Sequence, residues 1–242
     1  MIEIKNVTKT YGKETLAVDD LSLTIEDGQI VGFIGPNGAG KTTTIKMLTG
    51  ILRPDSGSIT INGYDIIKDP IKTKRQFGYV SDNPNAYPKL RGREYLNFIA
   101  DIYEVDHQKR EEQIIHYAKL LKMEDVLEDR IGTYSHGMRQ KIMVIAVLIH
   151  DPYLLILDEP LTGLDPQSSF VLKELMKERA ADGKSVFFST HVLEIAEKLC
   201  DQIAIVNYGK IIYTGTLEAL KAEYPDLSLE EIFLKVTAWK RF

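Results

Sequence analysis

The chain has 242 residues, 44% hydrophobic and 27% charged, which excludes a disordered tail and suffices for one large domain or two small ones. Its 30 Lys and Arg against 35 Asp and Glu give a net charge of −5, which argues against a nucleic-acid partner held by bulk charge. The single Cys200 rules out an internal disulfide and fits a reducing compartment. The longest apolar run, Ile142 to Ile149, is far short of the ~20 residues of a membrane-spanning helix, and the first residues lack a secretory core. The expectation is a soluble, cytoplasmic chain.

In chain order, Ile2 to Val7 and Ala17 to Ile25 alternate apolar and polar residues and predict β structure. After the turn signal Asp27-Gly28, Ile30 to Ile34 is nearly continuously apolar, as for a strand buried on both faces of a parallel sheet. A glycine-rich loop follows, then a helix from Lys41 to about Leu52. Ser58 to Ile61 with Asn62-Gly63 reads as a hairpin strand and its turn. From Pro84 to Arg130 strand signals disappear. Leu96, Ile99, Ala100 and Tyr103, then Ile114, Ile115, Ala118, Leu120 and Leu121, recur at helical spacing.

Strands then alternate with helices again: Leu154 to Leu157, a helix near Gln167 to Ala181, Ser185 to Ser189, a helix from Val192 to Leu199, and Gln202 to Val206. Such alternation predicts a parallel sheet with helices on both faces. Ile211 to Thr214 and helices near Thr216 to Ala222 and Ser228 to Lys235 follow. The reading is one α/β domain over 1–242, with an N-terminal antiparallel β subdomain and an inserted α-helical subdomain at about 83–150.

Gly35-Pro36-Asn37-Gly38-Ala39-Gly40-Lys41-Thr42 has the spacing G-x-x-x-x-G-K-[ST] between a buried strand and a helix. Glycines let the backbone curl so that N–H groups converge on phosphate oxygens, aided by the positive end of the following helix. Lys41 would reach the β and γ phosphates, Thr42 would ligate Mg2+, and Thr43 continues the nucleotide contacts. The matching carboxylates stand in Leu154-Leu155-Ile156-Leu157-Asp158-Glu159, a buried strand ending in two acids. Asp158 would hold Mg2+ through water, and Glu159 would polarise the water attacking the γ-phosphate. No Asn-Lys-x-Asp base-reading motif is present, which argues against a GTPase.

Between these halves, Tyr134-Ser135-His136-Gly137-Met138-Arg139-Gln140 resembles the signature motif of ATP-binding-cassette (ABC) ATPases. Thr162-Gly163-Leu164-Asp165 is similar to that family's D-loop, Ser189-Thr190-His191 to its switch histidine segment, and Tyr11 stands where the family stacks adenine. The resemblance covers the whole chain in order and implies a P-loop NTPase core that binds ATP and Mg2+. It implies a head-to-tail pair, by two copies or by this chain and a paralogue. Ser135 and Gly137 would meet the ATP of the other copy, His191 would contact the γ-phosphate, and Asp165 would link the sites. Ser135 also suits the cap of a helix, whose free N–H groups form an anion site.

The resemblance further implies a transmembrane permease partner, attachment at the cytoplasmic face of the membrane, and a lobe groove for a coupling helix. The ending Gly215 to Leu220 with Leu229 to Phe233 resembles exporter ATPases. An importer ATPase and a soluble ABC protein of translation or DNA repair are the alternatives.

Two positions depart from the family pattern. Tyr134 replaces Leu and His136 replaces a Gly, with His136 expected to face solvent. In Gly78-Tyr79-Val80-Ser81-Asp82, Asp82 occupies the place of the family's metal-sensing Gln; it would bind Mg2+ through water or act only as a hinge. His107, His116 and His150 read as surface or helix-end residues, Lys109 to Glu112 as a solvated face, and Trp239 as packing on the last helix.

Overall fold

The computed structural model describes residues 1–12, 14–84 and 87–238, so Trp239 lies outside the described residues. Strands β1 (Ile2–Tyr11), β2 (Thr15–Ile25), β4 (Ser56–Ile61) and β5 (Tyr64–Asp65) form an antiparallel sheet in the order β2-β1-β4-β5. Ile2 and Ile4 pair with Ile25 and Leu23 on one side and with Ile61 and Ile59 on the other. All six are buried, which fixes the register, because a slip by one residue would turn that row into water.

The second sheet holds β3 (Ile30–Ile34), β6 (Phe77–Val80), β7 (Leu154–Asp158), β8 (Ser185–Thr190), β9 (Gln202–Asn207) and β10 (Lys210–Gly215), ordered β10-β9-β3-β8-β7-β6. Only β10 runs antiparallel to its neighbour. The mainly parallel α/β sheet with an antiparallel N-terminal sheet, expected from the sequence, is present.

Three details differ from the sequence reading. Strand β6 carried too few residues and a glycine, and it exists because it pairs with β7 and lies under a helix. A Cβ on its Gly78 would stand 2.8 Å from Val147. Helix α1 (Lys41–Leu48) ends four residues before Leu52, at the left-handed Gly50 (φ +68°). One face of the parallel sheet is covered by β structure as well as α1: Val31, Phe33, Ile156 and Phe187 share a core with Ile2, Ile25 and Ile61.

Short α2 (Pro70–Lys74) precedes β6, and the helical region follows as α3 (Gly92–Ile102), α4 (His107–Leu120) and α5 (His136–Ile149). Leu96, Ala100, Ile114, Ala118 and Leu121 pack on α5, and each such burial of a large side chain contributes about 1.5–3 kcal/mol. Ile115 and Leu120 are exposed, so the predicted stripe is narrower than its apolar residues suggested. Within the expected solvated face, Arg110 pairs with Asp101 and Glu111 with Arg93. His107 and His116 are exposed. His150 follows the last residue of α5, at the helix end as expected, and is half-buried. Its ring stacks on Tyr103 at 3.7 Å, and burial lowers its pKa to about 4.

Helices α6 (Pro166–Ala181) and α5 cover the other sheet face, while α7 (Leu193–Leu199), α8 (Leu217–Glu223) and α9 (Leu229–Ala238) pack around Ile34, Ile203 and Ile205. The parallel registers align Ile34 with Thr190, Asp158 with Ser189 and Val80 with Leu157. The carboxyl ends of four strands therefore open on one side, where α/β sheets bind ligands.

Candidate functional site

The phosphate loop leaves β3 and is shaped by close backbone contacts. Gly40, the residue before α1, has φ +105°, and a Cβ there would lie 2.5 Å from the Ala17 carbonyl. Only glycine fits both constraints. Gly38 is likewise left-handed at φ +80°. Lys41 is 7% exposed, and its ammonium donates to the carbonyls of Gly35 (2.6 Å) and Pro36 (3.2 Å). Burial lowers its pKa, opposed by the nearby Glu159 and Asp158.

One cleft is lined by Ala17, Pro36, Asn37, Gly38, Gly40, Lys41, Thr42, Thr43, Asp82, Asp158 and Glu159. It joins the two halves that lie more than a hundred residues apart in the sequence. Gly35 and Ala39 are buried behind it.

Asp158 is 1% exposed at the end of β7. Its Oδ1 accepts a hydrogen bond of 2.5 Å from the Ser189 hydroxyl, whereas Oδ2 is buried without a partner. Burial raises its pKa, reinforced by the charges of Asp82 and Glu159 and opposed by Ser189 and Thr42. A carboxylate held against its own charge, with a free oxygen beside a threonine and a second carboxylate, fits a hard divalent cation.

Glu159 follows with φ +49°, a conformation uncommon for a non-glycine residue and one that turns its side chain back over the phosphate loop. Its N–H donates to the Ser189 hydroxyl (3.0 Å), its Oε1 lies 3.8 Å from the Lys41 ammonium, and its Oε2 is 3.0 Å from His191 Nδ1. Asp158, Glu159, Lys41 and His191 thus meet at one place.

Ser189 is the residue the sequence reading missed. In the sequence it is only the first residue of the histidine segment, yet its hydroxyl serves both acids at once. The available signal was its place two residues before His191 on a strand flanking Asp158, but the cross-strand register that makes the contact is tertiary.

Ser135 caps α5: its hydroxyl accepts the Met138 N–H at 3.2 Å and keeps its own proton for another acceptor. Tyr134 is 3% exposed and donates to the Val126 carbonyl at 2.5 Å, so the unusual residue anchors the turn from inside the helical region.

His136 is exposed, as expected, but one ring edge rests on the D-loop. A Cβ on Gly163 would stand 2.6 Å from its Cδ2, and one on Gly137 equally close to the Gly163 carbonyl. Asp165, expected to link two sites, has its carboxylate engaged within the chain. It caps α6 through the Ser168 N–H (2.9 Å) and hydroxyl (2.6 Å) and pairs with Lys141 at 2.8 Å. Lys141, followed by Ser168, holds its pKa well below the usual carboxylate range.

Tyr11, at the exposed end of β1, and Ser135, Gly137 and Asp165 are not among the residues lining the phosphate cleft.

A nucleotide-binding α/β core with a cleft joining a phosphate loop to two acids defines a P-loop ATPase. Residues 18–162 match the family model described as ABC transporter. The chain is 36% identical over 223 residues to the ABC transporter ATP-binding protein NatA of Bacillus subtilis (strain 168), covering 92% of this chain and 91% of that protein. It is 39% identical over 219 residues to the linearmycin resistance ATP-binding protein LnrL of the same organism, over 89% of this chain and 69% of that protein.

A solved ATP-binding subunit of an ABC transporter superposes with TM-score 0.93 at 33% identity, covering 98% of this chain and 99% of that one. A dimeric post-hydrolysis ATP-binding cassette bound to ADP and Pi gives TM-score 0.82 at 25% identity, over 90% and 99% of the two chains. The chain belongs to the ABC transporter family, as an ATP-binding, ATP-hydrolysing subunit.

Proposed function

We propose that residues 1–242 form one domain that hydrolyses ATP as half of a head-to-tail pair and drives export through a separate membrane permease. The observation that carries this is the cleft where Lys41, Thr42, Asp82, Asp158 and Glu159 converge while Ser135 and Gly137 stay outside it. A site with its γ-phosphate cap elsewhere on the chain is completed by a second copy or a paralogue.

The triphosphate sits on Gly35 to Thr43, with Lys41 facing the β and γ phosphates. Tyr11 stacks on adenine. Thr42, Asp158 and Asp82 would hold Mg2+, which would neutralise phosphate charge. Glu159 accepts the proton of the attacking water. His191, 3.0 Å from Glu159, orients that carboxylate and reaches the γ-phosphate. The partner's Ser135 donates its free hydroxyl proton to that same phosphate.

Export is favoured because the similar proteins include the Nod factor export ATP-binding protein I of Burkholderia orbicola (strain AU 1054). The permease docks at the apolar cluster of exposed Tyr87 and Phe98 and half-buried Leu90 on the helical lobe, and the chain then works at the cytoplasmic face of the membrane.

The test is the solution mass of Glu159→Ala with and without MgATP, beside wild-type hydrolysis. An ATP-dependent dimer, with hydrolysis by wild type alone, is the expected result. A variant that hydrolyses like wild type removes Glu159 from the mechanism, and absence of ATP binding overturns the whole reading.

A further inference from the structure

The residues that shape the phosphate loop are themselves held by the turn between β9 and β10. Gly209 donates its N–H to the Ala39 carbonyl inside the phosphate loop at 2.9 Å, and its own carbonyl accepts the Asp19 N–H of β2 at 2.9 Å. A Cβ on Gly35 would collide with the Val206 carbonyl, and one on Gly40 would lie 3.4 Å from the Gly209 Cα. The loop thus rests on the end of β9 and its turn at Gly35, Ala39 and Gly40, while Asn37 and Gly38 at its tip are exposed.

The turn has an uncommon backbone. Tyr208 is left-handed at φ +46° and Gly209 at φ +77°. A tyrosine in that region is retained only where surrounding contacts over-determine it. One such contact is Asn207, a polar side chain 6% exposed, whose amide donates to the Thr237 carbonyl at 2.7 Å. That carbonyl lies near the end of α9 (Leu229–Ala238). Asn207 therefore joins the end of α9 to the turn beneath the phosphate loop. Helix α9 is anchored in turn by Ile232, buried with Ile34 at the base of that loop, and α8 by the Lys221–Glu197 ion pair to α7.

We propose that Asn207 and Gly209 are positioning residues of the nucleotide site, through which α9 holds the phosphate loop in its ATP-binding shape. The inference rests on the reading of residues 35–43 as the phosphate loop. Neither residue lines the phosphate cleft; they act through the Ala39 carbonyl and the backbone contacts at Gly35 and Gly40.

The test uses the full chain and compares wild type, Asn207→Ala, Asn207→Asp and Gly209→Ala in MgATP titrations, each beside its melting temperature. Asn207→Asp keeps the shape but replaces the donor with an acceptor facing the Thr237 carbonyl. Both Asn207 variants should raise KM about fivefold, the share of one net hydrogen bond, with kcat within about twofold of wild type. Gly209→Ala, whose Cβ would lie 2.8 Å from the Ala17 carbonyl, should raise KM further.

A lowered melting temperature with unchanged KM in all three variants, assayed well below melting, would make the contacts merely structural and overturn the proposal. Lys41→Ala separates the two readings. If it abolishes ATP binding while the Asn207 variants leave KM unchanged, the positioning role alone fails. If it binds ATP normally, the phosphate-loop reading fails first.

Discussion

Removing the Ser189 hydroxyl perturbs two acids through one atom. In wild type that hydroxyl, fully buried, donates to Asp158 Oδ1 at 2.5 Å and accepts the Glu159 N–H at 3.0 Å. Ser189→Ala deletes a hydrogen bond to an ionised group, about 1.5–3 kcal/mol net, and leaves a backbone N–H unpaired at about 1–3 kcal/mol. The two losses share a partner and are not additive, so the expected destabilisation is about 2–4 kcal/mol at pH 7.

Asp158 already has a raised pKa, and without Ser189 it rises further. Protonation relieves the buried charge, so the loss should shrink as pH falls through the folded-state pKa of the variant. Urea denaturation in steps from pH 7.5 to pH 3, without nucleotide, measures both quantities. A loss under about 0.5 kcal/mol at pH 7.5, or one identical across the series, would refute the claim that Ser189 stabilises the ionised acid. Activity supplies a second readout: with Glu159 handling the attacking water as proposed, kcat should fall, because that residue's own backbone N–H loses its tether.

Asp158→Asn should stabilise the nucleotide-free chain while abolishing hydrolysis. With its folded pKa raised, ionisation of Asp158 opposes folding above the ordinary carboxylate range and not below it. The gain should therefore appear in urea denaturation at pH 7 and vanish near pH 3. Gly163→Ala should cost about 1–3 kcal/mol from its left-handed backbone at φ +79°, with an added clash against the His136 ring. Adding His136→Gly should restore the steric part and leave the backbone part. A double-mutant cycle by denaturation measures the coupling, and a coupling of zero would mean that the ring does not press on the D-loop.

Several parts of the molecule were legible in the sequence because local chemistry enforces them. The phosphate loop needs glycines at fixed offsets from Lys41 and Thr42, and the buried run before Asp158 can be little else than a strand ending in acids. Ser135 as a helix cap follows from a hydroxyl residue placed just before an apolar helical run. Strand β6 could not be read this way: four residues including a glycine carry no periodicity, and only pairing with β7 makes them a strand. His150 was legible as a helix-end residue, but its burial was not, because its stacking partner, Tyr103, lies 47 positions earlier, just past the end of α3.

The sequence by itself determined which residues form the candidate phosphate loop, which acids end β7, and which family the order of motifs resembles. Tertiary structure alone decided the contacts between them. Parallel register brings Ser189 beside Asp158, a left-handed backbone swings Glu159 to His191, and the β9–β10 turn supports the loop from below. Those are relations between strands distant in the chain, and hydrogen bonds of 2.5 to 3.0 Å hold there only after burial has fixed the register.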